Sequence, residues 1–140
     1  MKITIIGNGI MGGLIKNALL NKHIFAQKDL AFVGRETNET PEADIYLLAV
    51  KPQDFSEAAK RLKGIKGKIL ISIMAGVPTA KIAKLVPGNK VVRSMPNLGA
   101  QSLSSMTTWI AKGGSNKKNN LTLTEKKAVK IIFSSFGEEL

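Results

Sequence analysis

The sequence predicts an α/β fold, a mostly parallel sheet covered by helices on both faces. Two observations carry this expectation. Short apolar, β-branched runs alternate along the chain with stretches of helical period. Between the first run and the first helical stretch stands Gly7-Asn8-Gly9-Ile10-Met11-Gly12, a G-x-G-x-x-G loop. Strand, loop and helix in that order make the expected sheet doubly wound and Rossmann-like.

Lys2–Ile6 reads as the first strand. Gly7 is expected to allow the tight turn off it, Gly9 to let a pyrophosphate approach the backbone, and Gly12 to let helix and strand pack closely. The helix from Leu14 to Leu20 would offer unpaired N–H groups and a positive dipole end to phosphates. A glycine-rich turn that only packs a helix on a sheet is the alternative. His23, just past the helix, reads as a solvated surface residue. Leu30–Val33 is the second strand, ending at Gly34-Arg35. Residues 36–44 are polar, hold one proline, and read as a loop with room for one helical turn. Ile45–Val50 is a continuous apolar run, as in a strand buried on both faces. Lys51-Pro52 stops it, and Asp54 is placed to cap a helix from Phe55 to about Leu62. Lys68–Ile73 is the next strand, and Pro78 starts a short helix reaching Leu85. Lys90–Met95, closed by Pro96, and Ser105–Ala111 are later strands. A lysine-rich turn over residues 113–120 precedes a last helix, which Thr124 is placed to cap. Val129, Ile132, Phe133 and Phe136 fall on one face of that helix. The face is expected to be partly uncovered and to drive association into a homo-oligomer or with a partner chain.

A chain of 140 residues suits a single domain over residues 1–140. Hydrophobic content of 44% with 5% aromatics fits a core of Ile, Leu, Val and Ala. No apolar run approaches the roughly 18 residues that span a bilayer, and the N-terminus lacks a signal-peptide layout. A cytoplasmic protein is therefore expected, with no membrane partner. Cysteine is absent, which excludes disulfides, a thiolate nucleophile and Cys-based metal sites, and the lone His23 excludes a histidine cluster. No metal is expected. The net charge of +11 favours phosphate-bearing partners, a dinucleotide or a nucleic acid. The basic residues are dispersed, with Lys60, Arg61, Lys63, Lys66 and Lys68 in the middle and Lys126, Lys127 and Lys130 on the last helix. No aromatics interleave with them and no nucleic-acid motif appears, so nucleic acid is not the expected partner.

Ligands of such sheets lie outside the carboxyl ends of the strands. Each distinctive segment of this chain falls at such an end: the glycine loop, Gly34-Arg35, Ala49-Val50-Lys51-Pro52, Met74-Ala75-Gly76-Val77 and Met95-Pro96-Asn97. For any one of them, a loop that simply reverses the chain is an equal reading. An acid at the end of the second strand would bind ribose hydroxyls, whereas an arginine pairs with a 2′-phosphate. Arg35 precedes the first acid, Glu36, so NADP(H) is expected over NAD(H), with a solvated arginine beside a loop as the alternative. Lys51 follows a buried strand and could bind a charged group, or could only mark a helix start beside Pro52. Asn97 could hydrogen-bond a carboxamide or ribose, or satisfy turn backbone. Nothing has the pattern of a Ser/His/Asp triad or a catalytic carboxylate pair, and no catalytic residue is assigned.

Taken together, these segments resemble the pyrroline-5-carboxylate reductase family. The pieces that carry the resemblance are Ile6–Gly12, Leu48-Ala49-Val50-Lys51-Pro52-Gln53, Ser72–Val77, and Val92-Arg93-Ser94-Met95-Pro96-Asn97 with Ala100, with Ser135-Phe136-Gly137 near the end. The resemblance covers the family's N-terminal half. It implies that Ile6, Gly7, Asn8, Gly9, Ile10, Met11 and Gly12 hold the pyrophosphate and Gly34 and Arg35 the adenosine ribose. Ala49, Val50, Lys51 and Pro52 would line the cofactor, with Ile73, Met74 and Ala75 near it, and Met95, Pro96 and Asn97 toward the nicotinamide. The implied reaction is hydride transfer from NADP(H) to pyrroline-5-carboxylate, an imine, giving L-proline. The family's helical dimerisation and substrate domain is expected to be absent, so turnover would need that domain or a partner. A non-catalytic dinucleotide-binding or interaction module is the alternative. The family usually has a helix and a further strand where only Glu36–Asp44 stand here, so the sheet is expected to be shortened between the second strand and the A-V-K-P strand. Asn38 is a weak match to an asparagine near the adenine. Leu98-Gly99-Ala100 departs from the family's usual T-P-A.

Overall fold

The computed structural model describes residues 1–23, 25–96, 105–112, 120–135 and 137–139, with side chains described up to Ser94 and over 120–135. The strands are β1 (Ile3–Ile6), β2 (Leu30–Val33), β3 (Ile45–Leu48), β4 (Ile69–Ser72), β5 (Lys90–Pro96), β6 (Ser105–Lys112) and β7 (Gly137–Glu139). The helices are α1 (Ile10–Asn21), α2 (Phe55–Lys60), α3 (Thr79–Leu85) and α4 (Leu123–Ser134). The strands form one sheet in the order β2-β1-β3-β4-β5-β6-β7. The first five run parallel, β6 is antiparallel to β5, and β7 is parallel to β6.

Both faces of the sheet are covered, which is why β1, β3 and β4 are apolar without alternation. On one face Ile3, Ile5, Ile45 and Ile71 pack with Ile15 and Leu19 of α1 and with Val129, Ile132 and Phe133 of α4. On the other, Ile6, Leu48 and Leu70 pack with Phe55 and Ala59 of α2 and Ile82 of α3. From β1 the chain passes through α1 to β2 on one side, while β3 lies on the other side and leads through α2 to β4. The windings diverge between β1 and β3, and a crevice opens at the carboxyl ends of strands at such a point.

The stretch between β2 and β3 has no helix; it crosses β1 as an extended strap, so the helical turn expected there does not form. Side chains hold the strap. Thr4 Oγ1 donates to Pro41 O at 3.2 Å, Lys2 N–H donates to Asp44 Oδ2 at 2.8 Å, and the buried Tyr46 hydroxyl accepts from Ala43 N–H at 3.0 Å. The shortening leaves β2 as an edge strand whose ends are locally capped. Leu30 N–H bonds Gln27 O, and Thr37 returns to Gly34, its hydroxyl accepting Gly34 N–H at 3.0 Å and its own N–H bonding Gly34 O at 3.2 Å. A short edge with capped ends offers little backbone to a foreign strand.

Several expectations change. Helix α1 begins at Ile10, so Gly12 lies inside it; a Cβ there would sit 2.8 Å from Gly7 O, and the close approach outweighs the poor helix propensity of glycine. His23 is exposed as expected and ends the helix at φ 52°, where its N–H bonds Leu20 O. Asp54 makes no side-chain cap on α2; Pro52–Asp54 form a 3₁₀ turn, and the Asp54 carboxylate turns to Arg35. Thr122, not Thr124, caps α4. Thr122 Oγ1 accepts Glu125 N–H at 3.2 Å and Glu125 Oε2 accepts Thr122 N–H at 2.7 Å, a reciprocal box that Thr124, inside the first turn, cannot form. The expectation of an uncovered α4 face is also overturned. Val129, Ile132 and Phe133 are fully buried because α4 lies on the sheet beside α1. Phe136 lies outside the described residues.

Candidate functional site

At the carboxyl ends of β1, β2 and β3 lies a cleft of about 1040 Å³. The glycine loop forms its floor. Gly7 adopts φ +116°, and a Cβ there would meet Ala49 O at 2.5 Å, so only glycine lets β1 turn this close to the end of β3. Gly9 is different: a Cβ would have nothing within 4 Å, so its backbone borders open space. Gly9 is also the N-cap of α1, with no side chain capping the helix and no acid in its first turn. The first N–H groups and the positive dipole end are therefore available to an anion. This pairing of a bare helix N-terminus with an open backbone surface suits a pyrophosphate.

One wall follows from β2. Gly34 carries Asn8 against it, since a Cβ at Gly34 would be 3.1 Å from Asn8 Nδ2. Arg35 Nη2 donates to Asp54 Oδ2 at 3.1 Å, with side-chain exposures of 83% and 38%. The other wall is α2 and its continuation, where Asp54, Glu57, Ala58 and Arg61 recur at helical spacing and all reach the cleft. Arg61 donates through Nη2 to Arg35 O at 2.7 Å and through Nη1 to Thr37 O. The strap is thus fastened to the α2 segment at the mouth of the cleft. Glu57 and Lys60, both exposed at the rim of the cleft, pair at 2.9 Å, a contact worth little in water.

Of the residues singled out by sequence, Ile6, Gly7, Asn8, Gly9, Gly34, Arg35, Ala49, Val50 and Lys51 line this cleft. Asn38 lines it too. Lys51 is exposed and precedes the 3₁₀ turn. Ile10 lies beside the cleft on the helix end, 80% exposed. Met11 packs partly against the core, and Gly12 sits behind the loop against Gly7. Pro52 begins the 3₁₀ turn and does not line the cleft. Ile73, Met74 and Ala75 follow β4 away from it: Ile73 packs against one core cluster, Met74 is 2% exposed within the other, and Ala75 is exposed. Asn97 lies outside the described residues, as do the side chains of Met95 and Pro96. Thr37 and Arg61 are site residues that the sequence reading left unassigned. The helical spacing of Arg61 from Asp54 and Glu57 was a usable signal; its bonds to the strap carbonyls were not readable. A second cavity, about 650 Å³, lies on the far side of Arg61 among Tyr46, Lys66 and Lys68 and holds none of the predicted residues.

Residues 29–76 match the family described as NADP oxidoreductase, coenzyme F420-dependent. The chain is 41% identical over 99 residues to a pyrroline-5-carboxylate reductase of Methanosarcina acetivorans, a span of 69% of this chain and 34% of that protein. It is 32% identical over 117 residues to the enzyme of that name from Aquifex aeolicus, covering 83% of this chain and 42% of that one. Among solved structures, it superposes on Plasmodium falciparum pyrroline carboxylate reductase with NADP bound at a TM-score of 0.82 and 28% identity, covering 100% of this chain and 57% of that one. The chain thus spans between a third and about three fifths of the length of these relatives.

Proposed function

The chain belongs to the pyrroline-5-carboxylate reductase family, and from that premise we propose that it is the family's N-terminal, NAD(P)-binding half, that it binds NADP(H) in preference to NAD(H), and that it serves hydride transfer to pyrroline-5-carboxylate, giving L-proline in the cytoplasm. The observation that carries the reading is the junction of Gly7, the open backbone of Gly9 and the uncapped N-terminus of α1 within a cleft large enough for a dinucleotide. The donor set fits the group: backbone N–H for the pyrophosphate, and cations where a ribose phosphate would lie.

In this reading Gly9 and the first turn of α1 hold the pyrophosphate. Gly34, Arg35 and the strap as far as Asn38 receive the adenosine half, with Arg35 on the 2′-phosphate. Ala49, Val50 and Lys51 form the wall along the cofactor, and their small or flexible side chains leave room for a flat ring. When bound, the nicotinamide supplies the hydride. The chain's own residues bind and orient, and no described side chain is assigned a proton transfer.

Calorimetric titration with NADPH and NADH tests the proposal. Binding of both, tighter for NADPH, is expected; binding of neither overturns it. Because the matched relatives extend well beyond the shared span, a second reading stands beside the first, a dinucleotide-binding module without turnover. An assay of this chain with NADPH and pyrroline-5-carboxylate separates them, since binding without turnover favours the module.

A further inference from the structure

We infer that Arg61 is a specificity-determining residue, the fixed cation that selects a dinucleotide bearing a ribose phosphate; this rests on the dinucleotide reading above. Two arginines face the same end of the cleft, and their surroundings differ. Arg35 is 83% exposed and its charge is matched by Asp54 at 3.1 Å. To serve a phosphate it must share or leave that carboxylate. Arg61 is half-buried on the opposite wall, and among the described residues it has no carboxylate partner.

Arg61 is instead held by two neutral acceptors, Arg35 O at 2.7 Å and Thr37 O. Those bonds fix the plane of the guanidinium without cancelling its charge. A guanidinium carries five N–H donors, so two bonds leave others free for an anion. A rigid fork with spare donors on a concave wall matches a phosphate better than a mobile ammonium does, and low-dielectric walls focus its field into the cleft. The same two bonds shape the strap at Arg35–Thr37. Arg61 therefore acts both by charge and by holding Arg35 in place. Position 61 lies outside the sequence segment that follows β2, where cofactor choice is ordinarily read, so its role emerges only when the strap is folded onto α2.

The test uses two probes that differ by one phosphate, 2′,5′-ADP and 5′-AMP, alongside NADPH and NADH. Each is titrated calorimetrically into wild type, Arg61→Ala and Arg61→Lys, with thermal melting as the check on folding. Wild type is expected to prefer the phosphorylated member of each pair. Arg61→Ala should lose about tenfold or more in affinity for 2′,5′-ADP and NADPH while 5′-AMP and NADH change by about twofold or less. Arg61→Lys, which keeps the charge without the fork, should fall between. An equal loss for both members of a pair, or none for either, overturns the inference, because the first is a purely structural role and the second no role. If Arg61→Ala does not fold, Arg61→Lys decides: a preference unchanged from wild type overturns the inference. Wild type that binds NADPH and NADH equally leaves dinucleotide binding intact but overturns this inference together with the proposed NADP(H) preference, whereas wild type that binds no probe overturns dinucleotide binding as well.

Discussion

At the scale of single residues, Gly7 and Gly9 do opposite work although they are two positions apart. Gly7 is a requirement of folding, because φ +116° is strained for any L side chain and a Cβ would lie 2.5 Å from Ala49 O. Gly7→Ala is expected to cost at least about 2 kcal/mol in urea denaturation. Gly9 is a requirement of binding. Nothing lies within 4 Å of its added Cβ, and its φ of −74° is open to any residue. Gly9→Ala should therefore keep the wild-type melting temperature within a degree or two while NADPH affinity falls about tenfold or more, as the methyl meets the pyrophosphate. Wild-type affinity in Gly9→Ala would remove Gly9 from the phosphate site. The G-x-G-x-x-G spacing marks both residues alike; only the packing around them separates the two roles.

Among the elements, α4 shows how a local signal and a tertiary one combine. Its start is written in Thr122-x-x-Glu125, and the box forms with both reciprocal bonds. Glu125 also reaches Lys90 of β5 at 2.7 Å, which joins the helix start to the sheet. Burial alone would raise the Glu125 pKa, but the hydrogen bonds from Lys90 and Thr122 outweigh it and hold the carboxyl below its ordinary value. A depressed folded-state pKa contributes stability that is present above the unfolded value and is lost as pH falls through the folded one. Thr122→Ala should cost about 1 kcal/mol at neutral pH. Glu125→Gln should be less stable than wild type at pH 7, and the gap should close on acidification below roughly pH 4, read from melting temperatures across that range. A gap independent of pH would remove the ionised carboxylate from the account.

The whole molecule is governed by what lies on each face of the sheet. The apolar stripe of α4, read alone, is as compatible with an exposed docking face as with a core face. It is a core face here because α4 returns to the side already occupied by α1 and closes one cluster with Ile3, Ile5 and Val92. Phe133, fully buried in that cluster, is expected to cost about 3–5 kcal/mol on replacement by Ala, a large part of a domain's stability. A loss below about 1 kcal/mol in urea denaturation would mean that the helix does not pack as described. The strap between β2 and β3 belongs to the same scale. Its polar composition and single proline announce a loop, and its shortness announces a missing helix. Its crossing over β1, its bonds to Thr4 and Tyr46, and its fastening by Arg61 depend on residues far away in the chain. The sequence by itself determined the α/β class, the order of the main strands along the chain, the glycine loop and about half of the cleft lining, because hydrophobic period, glycine placement and strand ends are local properties. The tertiary structure alone decided which threonine caps α4, where the stripe of α4 is spent, and which arginine keeps an uncompensated charge at the cleft, because each depends on groups that only folding brings within a few ångströms.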